Sequence, residues 1–102
     1  MSRKDEAMTE PSEVTDNKDA SRFEVTIDGH VAELVYRRVG DRLVLVHTGV
    51  PSELEGKGLG GVLVAAAVDR AEAEGLTVGL ECDFARGWLD RHPEVAGRVT
   101  IS

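Results

Sequence analysis

The sequence predicts a mixed-sheet α/β domain: an antiparallel three-strand meander, a glycine loop, a long helix, a parallel fourth strand and a short C-terminal helix. Three observations predict it. Apolar and polar residues alternate with the period of a strand through the first half of the domain, interrupted by tight glycine turns. Four glycines then crowd into the eleven residues Pro51 to Gly61. After them comes an alanine-rich segment of helical period and one more short apolar run, the order of a crossover between parallel strands.

Arg22 to Asp28 sets Phe23, Val25 and Ile27 on one side and Arg22, Glu24, Thr26 and Asp28 on the other. Asp28-Gly29 is a hairpin signal. In His30 to Val39, Ala32, Leu34 and Tyr36 alternate against Val31, Glu33 and Val35, and Gly40-Asp41 makes the next turn. Arg42 to Val50 contains a continuous apolar stretch, Leu43 to Val46, which suits a strand covered on both faces. Leu59, Val62, Leu63 and Ala66 then follow helical spacing up to Glu74, and Gly75 sits at the C-cap. Leu76 to Cys82 reads as the fourth strand and Phe84 to Leu89 as the short helix, ended by His92-Pro93.

Composition narrows what such a domain does. At 102 residues one domain is the ceiling. Twelve basic against nineteen acidic residues give a net charge of −7, the opposite of a nucleic-acid footprint. One cysteine leaves no internal disulfide framework and no multi-cysteine zinc site, so no metal is expected. The longest apolar run, Val62 to Val68, is too short for a bilayer, and the N-terminus lacks the apolar stretch of a secretory signal. A soluble, cytoplasmic protein without a membrane partner is expected. Residues 1–20 are too polar to offset their ordering entropy and are expected to be a disordered acidic tail ahead of a domain at 21–102.

The chemistry concentrates in the glycine loop, Glu55-Gly56-Lys57-Gly58-Leu59-Gly60-Gly61, between a strand and a helix. Glycines let the backbone turn tightly and approach a ligand closely. Free amides at a helix N-terminus attract an anion such as a pyrophosphate, and Lys57 adds a charge. The spacing matches neither a P-loop nor a dinucleotide fingerprint.

The segment His47-Thr48-Gly49-Val50-Pro51-Ser52-Glu53-Leu54-Glu55-Gly56-Lys57-Gly58-Leu59-Gly60 resembles the H-T-E-V-P-x-x-x-x-G-x-G-[IL]-[GA] stretch of a minimal branch of the GNAT-type N-acetyltransferases. Cys82-Asp83-Phe84-Ala85-Arg86-Gly87-Trp88-Leu89-Asp90-Arg91-His92-Pro93-Glu94 resembles that branch's C-[SP]-[FY]-x-x-x-[YFW]-[LI]-x-[RK]-H-P-E ending, in register. The resemblance implies a short GNAT-like core and the cofactor acetyl-coenzyme A (acetyl-CoA). By the same resemblance, the amides of Gly56, Lys57, Gly58, Leu59, Gly60 and Gly61 hold the pyrophosphate. The pantetheine arm lies where the third and fourth strands splay, beside Thr48 and Val50, with Phe84 against it. A backbone amide between Thr48 and Val50 polarises the acetyl carbonyl.

Three positions depart from the pattern. Glu55 stands where the signature has Gln or Arg, Gly49 where the branch has an acid, and Leu80-Glu81-Cys82 where it reads P-L-C. The general base is thereby left open, and Glu81 is one residue that could take the missing acid's role. Cys82 is an acyl acceptor, a contact to the cofactor or simply a small buried hydrophobe. His47 is a base, a pantetheine contact or an outward strand residue. Strand alternation lets only one of His47 and Thr48 face the ligand. The expected function is acetyl transfer from acetyl-CoA to an amine, either a small amine or a lysine-containing protein. The alternative is a coenzyme A-binding module with little or no activity. The sequence carries no signal for an oligomeric state.

Overall fold

A computed structural model describes residues 14–102, so the expected tail over residues 1–13 lies outside the described residues. In chain order the elements are β1 (Thr15–Asn17), β2 (Arg22–Ile27), β3 (His30–Val39), β4 (Arg42–Gly49), a 3-10 turn (Ser52–Leu54), α1 (Leu59–Glu74), β5 (Thr77–Leu80), α2 (Asp83–Arg91) and α3 (Pro93–Ala96). The strands form one sheet in the order β1-β2-β3-β4-β5. All neighbours are antiparallel except β4 and β5. The mixed sheet, the meander and the crossover to a parallel strand are those the sequence predicts.

The strand alternation is realised as burial. Phe23, Val25, Ala32, Leu34 and Tyr36 are buried, in one cluster with Leu63, Val64, Ala67, Val68 and Ala71 of α1. Alternation along antiparallel strands sends Glu24, Glu33 and Val35 to the other face, called here the outward face. The alanines let α1 lie close to the sheet. Gly75, at φ 71°, ends the helix, and the following Leu76 amide donates back to Ala71 O at 2.8 Å. That is the left-handed glycine cap its position predicts.

The expected tail ends earlier than Ala20. Thr15–Asn17 pairs with β2, and Val14 packs against the core. Asp16 explains why. Its carboxylate accepts from Tyr36 Oη at 2.7 Å and from Arg70 Nη1 at 3.1 Å, and Arg70 also donates to Tyr36 Oη at 2.8 Å. In composition Asp16 counts as a solvated tail charge, whereas in the fold it is one corner of a part-buried triad that ties an edge strand to α1. Two further additions lie at the C-terminus. His92 ends α2 and opens α3, which the sequence left out. Thr100 O accepts from Val78 N and Ser102 N donates to Val78 O, so the last residues pair with β5.

Candidate functional site

The parallel ladder between β4 and β5 is short. It joins Arg42–Leu45 to Thr77–Leu80 and stops. At the stop, Leu45 O accepts from both Glu81 N (2.9 Å) and Cys82 N (3.0 Å), and Leu80 O accepts from Arg86 Nη2 at 2.6 Å. Beyond this point β4 keeps β3 on one side and, among the described residues, has no paired strand on the other, which is the splay expected for an extended, amide-rich ligand. On the β3 side the register jumps from Val35↔His47 to Tyr36↔Leu45, so Val46 is an extra, bulged residue. One inserted residue exchanges the two faces for everything beyond it. The bulge therefore settles which of two neighbours faces inward. Thr48 lines the inner cleft, and His47 sits opposite Val35 on the outward face.

The cleft encloses about 340 Å³. One wall is strand and turn, from Thr48, Val50, Leu54 and Glu55; the other is Gly56, Gly58 and the first turn of α1, from Leu59 to Gly61; Phe84 and Trp88 close it. Gly56 (φ 83°) and Gly58 (φ 75°) adopt left-handed backbone that only glycine takes without strain. Gly58 is the N-cap of α1 and offers no side-chain cap, and the first turn has no acidic residue. The first intrahelical bond to Gly58 O comes from Val62 N, so the amides of Leu59, Gly60 and Gly61 have no acceptor within the helix. Leu59, Gly60 and Gly61 line the cleft at the positive end of a sixteen-residue dipole.

Gly60 and Gly61 have a second duty. A Cβ on Gly60 would lie 2.6 Å from Phe84 Cζ, and one on Gly61 would run into the Trp88 indole. The i, i+4 pair Phe84 and Trp88 thus lays both rings directly on the backbone of α1. Trp88 in turn stacks on His92 at 3.8 Å, and His92 Nδ1 lies 2.8 Å from Trp88 O.

The sequence profile of the GCN5-related N-acetyl-transferases matches residues 22–98. The chain belongs to the GCN5-related N-acetyltransferase family. Protein NATD1 of Gallus gallus and of Mus musculus are each 33% identical to it over 86 residues, covering 81% of this chain and 78% of theirs. The solution NMR structure of a GCN5-like protein from Staphylococcus aureus superposes with a TM-score of 0.69 at 27% identity, covering 90% of this chain and 89% of that one.

Within this acetyltransferase fold, the residues expected at the cofactor gather. Thr48, Val50, Gly56, Gly58, Leu59, Gly60, Gly61 and Phe84 all line the one cleft. Lys57 is exposed in the same loop but is not part of the lining. Leu54 and Trp88 join the lining beyond the expected set. Arg86, a residue the sequence leaves equally open to a phosphate or to solvent, is committed to Leu80 O.

The residues expected to do chemistry are not gathered. Glu81 points outward, where its carboxylate meets Arg37 Nη2 at 2.8 Å. The hydrogen bond from Arg37 and its charge hold Glu81 below the usual carboxylate range. Alternation from Val78 and Leu80, which join the core, sends Glu81 to the face away from the cleft, the face that Gly49 also presents. His47 is exposed on that same face. Cys82 is buried one layer behind the cleft wall. Its sulfur lies 3.2 Å from Thr48 Oγ1 and accepts from Ala85 N at 3.5 Å, capping α2. Among the described residues no group of His, Cys, Asp and Glu could hold a metal ion, and no helix is long and apolar enough to cross a membrane.

Proposed function

We propose that the protein transfers an acetyl group from acetyl-CoA to a primary amine: the neutral amine attacks the thioester carbonyl, the C–N bond forms as the C–S bond breaks, and coenzyme A leaves as a thiolate that takes up the proton the amine gives up. The observation that carries this reading is a coincidence in one cleft. The open first-turn amides of α1 and the unpaired edge of β4 border the same space. Either alone is common. Together they fit a ligand with an anionic end and an extended, amide-bearing arm.

The donor set fits acetyl-CoA piece by piece. The amides of Leu59, Gly60 and Gly61, free of acceptors within the helix, suit a pyrophosphate, and glycines at 56, 58, 60 and 61 present no side chain there. The β4 edge from Thr48 to Val50 offers backbone groups to the arm, and the Phe84 ring, an exposed large apolar group, offers it a surface. When bound, acetyl-CoA supplies the activated acyl carbon. The chain's own contribution is positioning: a rigid helix start and a strand edge fix both ends of a long donor, and proximity supplies much of the rate. An amide between Thr48 and Val50 would hydrogen-bond the acyl oxygen of the bound donor, and no protein proton needs to move for that interaction.

A second reading is favoured by one specific observation. Among the described residues, Glu55 is the only ionisable side chain that lines the cleft, and it is exposed at the loop end. A coenzyme A-binding module with slow turnover has the same architecture. Release of free thiol from acetyl-CoA across a panel of small amines and lysine peptides separates the two. Saturable turnover with any amine supports the transferase. Binding of acetyl-CoA with thiol release no faster than the protein-free hydrolysis leaves the module.

A further inference from the structure

The splay opens the sheet to both faces, and the outward side carries a cluster that the cleft does not use. Glu33 and Gly49 are cross-strand partners on β3 and β4, and His47 lies two residues before Gly49 on the same face. A Cβ on Gly49 would lie 3.4 Å from His47 Nε2 and 3.8 Å from Glu33 Oε2, so the two side chains border the space that glycine leaves. The Glu33 carboxylate is half engaged. Arg22 Nη1 donates to its Oε1 at 3.0 Å, while Oε2 is the oxygen turned toward Gly49. Arg22 is shared with Glu24. One guanidinium against two carboxylates leaves the cluster one negative charge in excess.

The inner face at the same level is the wall of the cleft read above as the donor's. Thr48 Oγ1 is in contact with Cys82 Sγ, and the rings of Phe84 and Trp88 lie on the start of α1. With the donor in that cleft, a nucleophile reaches the strand gap from the outward side. Resting on the acetyl-transfer reading above, we propose that Glu33 Oε2 and His47 Nε2 form the acceptor subsite, holding the amino group of a cationic primary amine in the space above Gly49. The specificity follows from the chemistry. A fixed carboxylate oxygen with one partner already in place recognises an ammonium donor and repels an anionic acceptor.

The test uses the full chain with Nα-acetyl-lysine methylamide as the amine. Calorimetry first establishes acetyl-CoA binding for every variant, and thermal unfolding establishes that each is folded. Glu33→Gln is expected to raise the amine KM about tenfold or more, as loss of a charge-assisted hydrogen bond does, with the acetyl-CoA Kd unchanged. Gly49→Leu, which fills the space, is expected to abolish amine saturation. Glu81→Gln, on the same face but held by Arg37, is expected to leave the amine KM alone. In the absence of acetyl-CoA, amide NMR shifts induced by the amine are expected at Glu33, His47 and Gly49, and to vanish in Glu33→Gln. An unchanged amine KM in Glu33→Gln, or shifts confined to other parts of the chain, overturns the subsite while leaving acetyl transfer standing. Failure of the unaltered chain to bind acetyl-CoA overturns the acetyl-transfer reading and the subsite with it.

Discussion

Gly60 and Gly61 illustrate how one residue type answers two demands. From the sequence they read as backbone bared for an anion. In the fold they are also bared for rings, because a Cβ at either position collides with Phe84 or Trp88. Gly61→Ala is therefore expected to cost about 1–3 kcal/mol, the usual scale of overpacking a tight contact. Chemical denaturation followed by Trp88 fluorescence measures it directly, since the indole itself is displaced. Gly58 is different. Nothing lies within 4 Å of a Cβ there, but its φ of 75° penalises any side chain. Gly58→Ala is expected to lose roughly 1 kcal/mol through backbone strain without disturbing Trp88 emission. Such a split was out of reach in the sequence, where the loop glycines look alike. The residues that line the cleft were legible because backbone groups and motif spacing select them. The placement of Glu81 and His47 was not, because it depends on which face a strand presents.

At the scale of elements, that choice of face is made by one bulged residue. The apolar run Leu43 to Val46 predicts a strand covered on both sides, and Val44 is indeed buried on the outward face. Among the described residues no helix covers it there; its cross-strand partner is Arg37, and Arg42 lies over neighbouring Gly79. Periodicity had no means of showing that Val46 is inserted, since valine suits either side. β1 escaped for a related reason. Three polar residues in an acidic stretch carry no strand signal, and only the triad of Asp16, Tyr36 and Arg70 reveals their role. That triad makes a pH prediction. Burial, followed by the bond to Asp16, raises the Tyr36 hydroxyl above its ordinary value. The folded state thus holds this proton more tightly than the unfolded chain. Its contribution is fully present below the unfolded tyrosine value, about 10, and is lost as pH rises through the higher folded value. Tyr36→Phe is expected to flatten the alkaline decline in stability between about pH 10 and 12, measured as denaturation midpoints across that range. It is also expected to lower stability near neutral pH by about 1 kcal/mol, the scale of a lost hydrogen bond.

As a whole molecule, the chain packs its helices on one face of a five-stranded sheet and leaves charged residues on the other. Its net charge of −7 works against an anionic donor. Between Arg42 and Arg70 the only lysine or arginine is Lys57, exposed in the loop. Donor binding must then come from local dipoles rather than from the protein's overall field. Lys57→Ala is accordingly expected to weaken acetyl-CoA binding by no more than about fivefold, the worth of an exposed charge. The size of the domain was already informative in the sequence: it allows a cradle for one ligand, with the second substrate met at the surface. The central claim is that the splayed β4 edge and the open start of α1 together form an acetyl-CoA site. Isothermal titration of the unaltered chain with acetyl-CoA tests it most directly. One saturable site with a Kd of about 100 μM or tighter, a free energy of roughly −5.5 kcal/mol or better, is the predicted result. Absence of binding heat at millimolar acetyl-CoA, with the protein shown to be folded, would contradict it.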